Sequence, residues 1–442
     1  MSLFRAAAGS VGSTVVGSLF LFGTGVLTAR MLGPAGKGAY ALSVLVPHLA
    51  VNFCVLGLTK ALSYFLARDR DRAGAALGTS LGLVLALSAV CSIGIVTVAR
   101  GAAWVPPEAR QLAITGWVVP ACAGYSLCRF AMLGLQKHWG LWFLNVADKS
   151  MLFLALHTSG LFLGRSLENF CTAYTVAMGS AFVVALAVTI PVIGGRLRFE
   201  GGYAVAALGF GLRSHVGWLA EFLNYRLDML IVQALSGAAS LGYYSAAVSV
   251  AETLWLVPNC VAVVLLPHIA RSQPTRAAST GPVCRLLLCL ALIAGGAVAV
   301  VSWPLVVGFY GSAFGPAVVP LLVLLPGVAA FSVVRPLNAD FEACGRPGVA
   351  SAVSGVSLLL TVALDLTLIP RLGAVGAALA STVAYTVSAC LMVFLYVRQT
   401  GVRVRTLLVP RLDDVRLLAD SLRRLWAGAN PPAGGAAIAG EA

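Results

Sequence analysis

Charge is scarce in this sequence. Only 10% of its 442 residues are charged, against about 25% in an ordinary soluble protein. With 59% of residues hydrophobic, polar surface is too limited to cover a water-soluble globule. Lysine is scarcer still, with Lys37, Lys60, Lys137 and Lys149 standing beside a large excess of arginine. Catalytic signatures are missing as well: there is no Walker motif, GxSxG, HExxH or glycine-rich phosphate loop. Those absences speak against an ATP-driven pump and the common hydrolase and zinc-protease chemistries. Energy for work would come from an ion gradient, the membrane potential or the substrate's own gradient. The histidines His48, His138, His157, His215 and His268 are scattered. The ten cysteines form no CxxC pair and lie mostly in apolar runs, as small fillers do. No metal or cofactor is expected. The apolar region from Ala6 to Met31 is too long for a cleaved signal peptide, so none is expected.

Long apolar runs are what the chain has instead. A helix needs about 20 apolar residues to cross a bilayer core. Twelve runs qualify, at about 8–30, 40–66, 74–99, 110–135, 141–163, 169–194, 212–235, 242–269, 284–309, 317–342, 348–369 and 374–397. The sequence therefore predicts an all-α polytopic membrane protein. With the N-terminus placed inside, the inner connections carry Arg5, Arg68, Arg70, Arg72, Lys137, Arg196, Arg198, Arg271, Arg276, Arg285 and Arg346. The outer ones carry only Arg30, Lys37, Arg100, Arg110, Arg165 and Arg371. The bias places both termini in the cytoplasm. The net charge of +14 sits largely in these connections and the tail, which suits anionic lipid headgroups rather than nucleic acid.

The chain also repeats itself. Leu32-Gly33-Pro34-Ala35-Gly36-Lys37-Gly38-Ala39-Tyr40 returns as Ser236-Gly237-Ala238-Ala239-Ser240-Leu241-Gly242-Tyr243-Tyr244, with Gly33/Gly237, Gly38/Gly242 and Tyr40/Tyr244 all 204 residues apart. Six spans separate the copies. Six is even, so two six-helix lobes run the same way and their pseudo-two-fold axis lies along the membrane normal. The expected organisation is an N-terminal lobe over 1–200, a C-terminal lobe over 201–398 and a cytoplasmic tail over 399–442. Arg129 has a counterpart in Arg335, and His48 falls opposite Glu252. Within the tail, an amphipathic helix at about 410–427 puts Leu412, Val415, Leu418, Leu422 and Trp426 on one face.

Ionisable residues inside spans are expensive and normally face a polar interior or a partner. In the seventh span Glu221, Asn224, Tyr225 and Asp228 share one face, extended by Ser214 and Trp218. Such a stripe must look into a water-filled cavity or a polar interface, and an ion-pair network between lobes would satisfy it too. Asp148 and Lys149 in the fifth span either neutralise each other or form a cavity site. Arg335 lies deep in the tenth span. Lys60 and Arg129 sit near the inner ends of theirs, where snorkelling is an alternative. Asp365, near the outer end of the eleventh, reads as a solvated turn residue.

The motif at Thr28–Pro34 leading to Gly38-Ala39-Tyr40 forms part of a wider resemblance. So do Tyr225-Arg226-Leu227-Asp228, Leu241–Ala247, Leu266-Pro267 with Arg271, Cys344–Gly348 and Ile369–Ala378. In this order, over about residues 5–398, they resemble the polysaccharide (O-antigen-type) flippases of the multidrug/oligosaccharidyl-lipid/polysaccharide exporter superfamily. The resemblance implies a V-shaped pair of bundles opening alternately to each side. It implies export of a polyprenyl-pyrophosphate-linked oligosaccharide from the inner to the outer leaflet, with membrane lipids around it and glycan polymerases or glycosyltransferases as candidate partners. Arg226, Arg335, Arg129, Lys149 and Lys60 would then bind the pyrophosphate. Glu221, Asp228, Glu252 and Asp148 would take a coupling ion or hold the cations. A multidrug antiporter of the same superfamily shares the fold but prefers acids and aromatics in its cavity. A membrane polymerase or ligase needs a sizeable outer loop that this chain lacks. A silent assembly scaffold stays open. The excess of arginine over lysine, with abundant alanine and glycine, points to a GC-rich bacterial genome and hence a bacterial plasma membrane.

Overall fold

A computed structural model of the chain describes residues 3–103, 105–194, 196–261 and 276–409. The tail helix expected at about 410–427 lies outside the described residues. Fifteen helices organise the rest. In the N-terminal half they are α1 (Leu3–Val55), α2 (Leu58–Arg68), α3 (Ala73–Gly101), the short α4 (Leu112–Thr115), α5 (Val118–Gly134), α6 (His138–Phe162) and α7 (Leu167–Ile193). The C-terminal half has α8 (Gly201–Ala251), α9 (Arg276–Val300), α10 (Ser302–Tyr310), α11 (Val318–Phe331) and α12 (Val334–Ala343). It closes with α13 (Pro347–Leu372), α14 (Ala374–Thr400) and α15 (Val404–Leu408). Seven described segments are long and apolar enough to cross a membrane by length and composition. Neither α6 nor α8 is among them, and these two carry Asp148, Lys149, Glu221, Arg226 and Asp228. The protein is a polytopic membrane protein of twelve spans in two six-helix lobes.

The two copies of the repeat adopt one geometry. Helix α1 breaks at a single residue, Gly33 (φ 69°, ψ −177°), and α8 breaks at Gly237 (φ 78°, ψ 178°). That region of backbone space belongs to glycine. Pro34 then restarts the helix, where its fixed φ is already helical and its missing N–H costs nothing. The connection expected between residues 30 and 40 is therefore one residue long. The breaks also pack on each other. A Cβ on Gly38 would collide with the carbonyl oxygen of Ala238, and one on Gly242 would collide with that of Pro34. Residues 34 and 238, like 38 and 242, are equivalent in the repeat, so the contact is self-complementary about the pseudo-two-fold axis.

Apolar packing continues this junction. Ala29, Leu42, Leu45 and Leu49 of α1 share one buried cluster with Val232, Leu241, Tyr244 and Val248 of α8. Nearby, Arg30 donates from Nε to the Phe309 carbonyl at 2.6 Å and from its terminal nitrogen to the Gly308 carbonyl. Those carbonyls end α10, where a helix leaves acceptors unpaired and favours a cation. Phe22 meets Phe309 edge-on at 5.3 Å, and the Lys37 ammonium stands 5.7 Å from the centre of the Tyr310 ring. The lobes are joined at this end.

Toward the opposite end, Leu56 (φ 48°) and Gly57 (φ 73°) separate α1 from α2. Gly57 lies directly on the backbone of Gly211 in α8, too close for a Cβ on either residue. The stretch leading into α8 runs along α3: Thr79 donates to the Arg198 carbonyl at 3.4 Å and accepts from the Glu200 amide at 2.8 Å. Gly78 leaves room for that chain to approach.

Candidate functional site

A cavity of about 360 Å³ lies between the lobes, bounded at one side by the Gly57–Gly211 contact. Most of its wall comes from the N-terminal lobe. Helix α1 contributes His48 and Asn52, and α2 contributes Thr59 and Lys60. Helix α5 adds Tyr125, Ser126 and Arg129, and α6 adds Asp148. The C-terminal lobe supplies His215, Trp218 and Phe222 from α8. With Gly211 these are spaced four, three and four residues apart, which keeps them on one helical face. The Gly57–Gly211 contact brings that face close to the N-terminal lobe.

Lys60 and Arg129 have no ion-pair partner among the described residues. Both line the cavity, Lys60 exposed and Arg129 half-buried. Asp148 faces the cavity and also holds Lys149, whose ammonium lies 3.1 and 3.3 Å from its carboxylate oxygens and 2.9 Å from the Asn145 carbonyl. Both sequence readings of this pair are present together. Lys149 itself packs against Gly17 of α1, where a Cβ would press on its side chain. His48 places Nδ1 2.9 Å from the Val44 carbonyl and 3.3 Å from the Tyr174 hydroxyl.

The charged stripe of α8 does not join this cavity. It turns into the C-terminal lobe, where each cation meets an acid. Arg226 pairs with Glu252 through two bonds of 3.1 Å. Arg335 of α12 donates to Glu221 at 2.7 Å and to the Tyr225 hydroxyl at 3.3 Å, and its guanidinium stands 5.6 Å from the centre of the Tyr225 ring. The pairs lie within one lobe rather than between lobes. Arg129 and Arg335, which the sequence sets against each other two residues off the 204-residue offset, differ: among the described residues Arg129 has no carboxylate partner, whereas Arg335 is paired with Glu221.

Deeper in the same lobe sits a third polar group. Asp228 is 2% exposed and accepts from the Tyr244 hydroxyl, the Met229 amide (2.7 Å) and the Ser381 hydroxyl (3.4 Å). Asn224 accepts from Thr361 of α13 at 3.1 Å. Asp365, also on α13, is fully buried and neither carboxylate oxygen has a hydrogen-bond partner among the described residues. The solvated-turn reading of Asp365 is thereby corrected. Helix α13 continues seven residues further, to Leu372, and packs against α8 and α14 over this stretch. A buried carboxyl without a hydrogen-bond partner is costly when charged and favours a cation or a proton. Among the described residues no group of three or more His, Cys, Asp or Glu is placed to hold a metal ion.

Sequence reasoning did not place His48, His215, Asn52, Ser126 or Asp365 at a site. His215 had the best available signal, since it stands one turn before Trp218.

About twelve spans in two like lobes, with a polar cavity between them, define a two-lobed polytopic membrane fold. The chain belongs to the polysaccharide biosynthesis protein family, whose model matches residues 5–273. Its fold is similar to that of the lipid II flippase MurJ in an inward closed conformation, with a TM-score of 0.75 and 14% identity over 97% of this chain and 92% of that one. An inward-facing multidrug resistance MATE family transporter of the MOP superfamily gives a TM-score of 0.72 and 14% identity, over 87% of this chain and 94% of that one. A MOP superfamily transporter from Pyrococcus furiosus gives 0.63 and 15%, over 90% and 95%. At such identity the likeness is one of fold. No curated protein matches the chain at a significant level.

Proposed function

We propose that this protein is a flippase that carries a polyprenyl-pyrophosphate-linked oligosaccharide from the inner to the outer leaflet by alternating access. The observation that carries the reading is the pair of cations on the wall of the interlobe cavity, Lys60 and Arg129, that have no carboxylate partner among the described residues. A cation held there without a carboxylate partner favours an anionic ligand, and a pyrophosphate accepts charge-assisted hydrogen bonds from both residues. Membership of a polysaccharide biosynthesis family agrees with that ligand. An organic cation would meet like charge in the same place, which disfavours the multidrug antiporter. Arg226, Arg335 and Lys149 are held in carboxylate pairs, so each would have to exchange its partner for phosphate to contact substrate.

In this reading the Gly33 and Gly237 breaks face outward, both termini are cytoplasmic, and lobes 1–200 and 201–398 move against each other. The joined outer end and the mid-depth cavity then correspond to a state closed to the outside. Coupling is assigned to the C-terminal lobe, where Asp228 and Asp365 would take a proton or a monovalent cation. Glu221 and Glu252 are already occupied by arginines.

The test is translocation of a fluorescent polyprenyl-pyrophosphate oligosaccharide across proteoliposomes containing the full chain. Transfer that rises with protein and falls in the Lys60→Ala/Arg129→Ala variant supports the proposal. Unchanged transfer in that variant removes the cavity assignment. Drug efflux without lipid transfer removes the function.

A further inference from the structure

The two walls of the cavity differ in chemistry. Cations stand on the N-terminal lobe, at Lys60 and Arg129, whereas the α8 wall is a ladder of rings. His215 and Trp218 have centroids 5.9 Å apart, and Trp218 and Phe222 are stacked at 5.8 Å with planes 21° apart. Helical spacing of three and four residues produces this stack, and Trp218 at its middle remains half-buried. His215 is 7% exposed, and its Nε2 has no hydrogen-bond partner among the described residues. Asn52 and Ser126 bring an amide and a hydroxyl to the cavity from the other side.

Resting on the flippase reading, we propose that Trp218 is the platform for the sugar directly attached to the pyrophosphate. A pyranose ring has an apolar face of C–H groups and an edge of hydroxyls. At centroid spacings of 5.9 and 5.8 Å the neighbouring rings are offset and cover the indole faces only in part, so the open part of the indole covers the first, and groups such as Asn52, Ser126 and the His215 Nε2 nitrogen answer the second. Pyrophosphate and sugar are joined by one bond, so a ligand held by Lys60 and Arg129 brings its first sugar within reach of the facing wall. A volume of about 360 Å³ is at the small end of ligand cavities. It suits the headgroup and its first sugar, not a whole oligosaccharide. A lipid chain alone would need neither the cations nor the polar edge. The division also follows the lobes: charge is read by one and sugar by the other, so full recognition needs both lobes closed on the ligand.

The experiment uses the full chain in nanodiscs and two probes, a polyprenyl pyrophosphate and the same lipid bearing one N-acetylglucosamine. Wild type is expected to bind the glycosylated probe more tightly, by about tenfold, the scale of one aromatic contact. Trp218→Leu keeps an apolar side chain, though a smaller one, and loses the flat face, and should bind both probes like the bare lipid. Trp218→Phe should retain most of the preference. A preference that survives in Trp218→Leu overturns the inference, as does equal binding of both probes by wild type, and both results leave the flippase reading standing. Failure of wild type to bind either probe overturns both.

Discussion

Arg30 of α1 and Phe309 of α10 connect the two lobes through a 2.6 Å hydrogen bond from guanidinium to main-chain carbonyl. The acceptor closes a helix whose C-terminus is electronegative, so the bond is charge-assisted. Neither partner has a counterpart in the repeat: Ala234 stands at the position equivalent to Arg30. The clamp is therefore one-sided, and breaking it should favour separation of the lobes at that end. In an Arg30→Ala variant, hydrogen–deuterium exchange over residues 31–40 and 305–314 should rise several-fold. Unchanged exchange would show that apolar packing at the junction suffices without the clamp.

The glycine contact beside it predicts a symmetric pair of defects. Gly38→Ala and Gly242→Ala each place a methyl on the opposing backbone, at Ala238 and Pro34 respectively. Backbone cannot yield as a side-chain tip does, so the lobes must part. Both variants should lower the thermal midpoint by similar amounts, since the sites are equivalent. Gly12→Ala, with open space around its Cβ, should hold or raise it, because alanine is the better helix residue by about 1 kcal/mol. Unequal effects at Gly38 and Gly242 would argue against a self-complementary contact.

The two breaks were legible in the sequence, because two copies of one glycine pattern announce one backbone geometry, but their packing on each other was not. The spans were legible too, since lipid imposes a length and a hydropathy. The partners of the charges were not. Glu221 and Tyr225 share a helical face, but the cation they hold, Arg335, lies more than a hundred residues away. Nothing local distinguishes it from Arg129, its suggested counterpart, which has no carboxylate partner among the described residues. Asp365 misled for a related reason. Distance from a predicted span end measures depth in the membrane, not the direction in which a side chain points.

The paired cations predict a specific pattern of rescue. Arg226→Ala leaves the Glu252 carboxylate in a low-polarity site without its partner, and removing one member of such a pair costs more than removing both. Arg226→Met should therefore destabilise the protein more than Arg226→Met combined with Glu252→Leu, as read by thermal unfolding in detergent. Both groups are about a quarter to a third exposed, so the expected difference is about 1–2 kcal/mol rather than that of a fully buried pair. If Arg226 instead binds substrate directly, the double variant will be stable but will lose lipid binding.

Asp228 and Asp365 make the last prediction. Asp228 accepts three hydrogen bonds, so its charge has support, whereas the Asp365 carboxylate has none among the described residues. The weaker support at Asp365 makes it the group whose charge state an added cation or proton decides. Asp365→Asn removes that dependence while keeping size and hydrogen-bonding capacity. In proteoliposomes, imposed proton and sodium gradients should each be tested against the wild type. The gradient that accelerates wild-type lipid transfer should have no effect on Asp365→Asn, while binding of the polyprenyl pyrophosphate to Lys60 and Arg129 stays within about twofold, because the two sites lie in different lobes and share no side chain. Transfer by Asp365→Asn that still follows the gradient would move coupling elsewhere. Cavity acids are then the next place to look, beginning with Asp148, which lines the same cavity as Lys60 and Arg129.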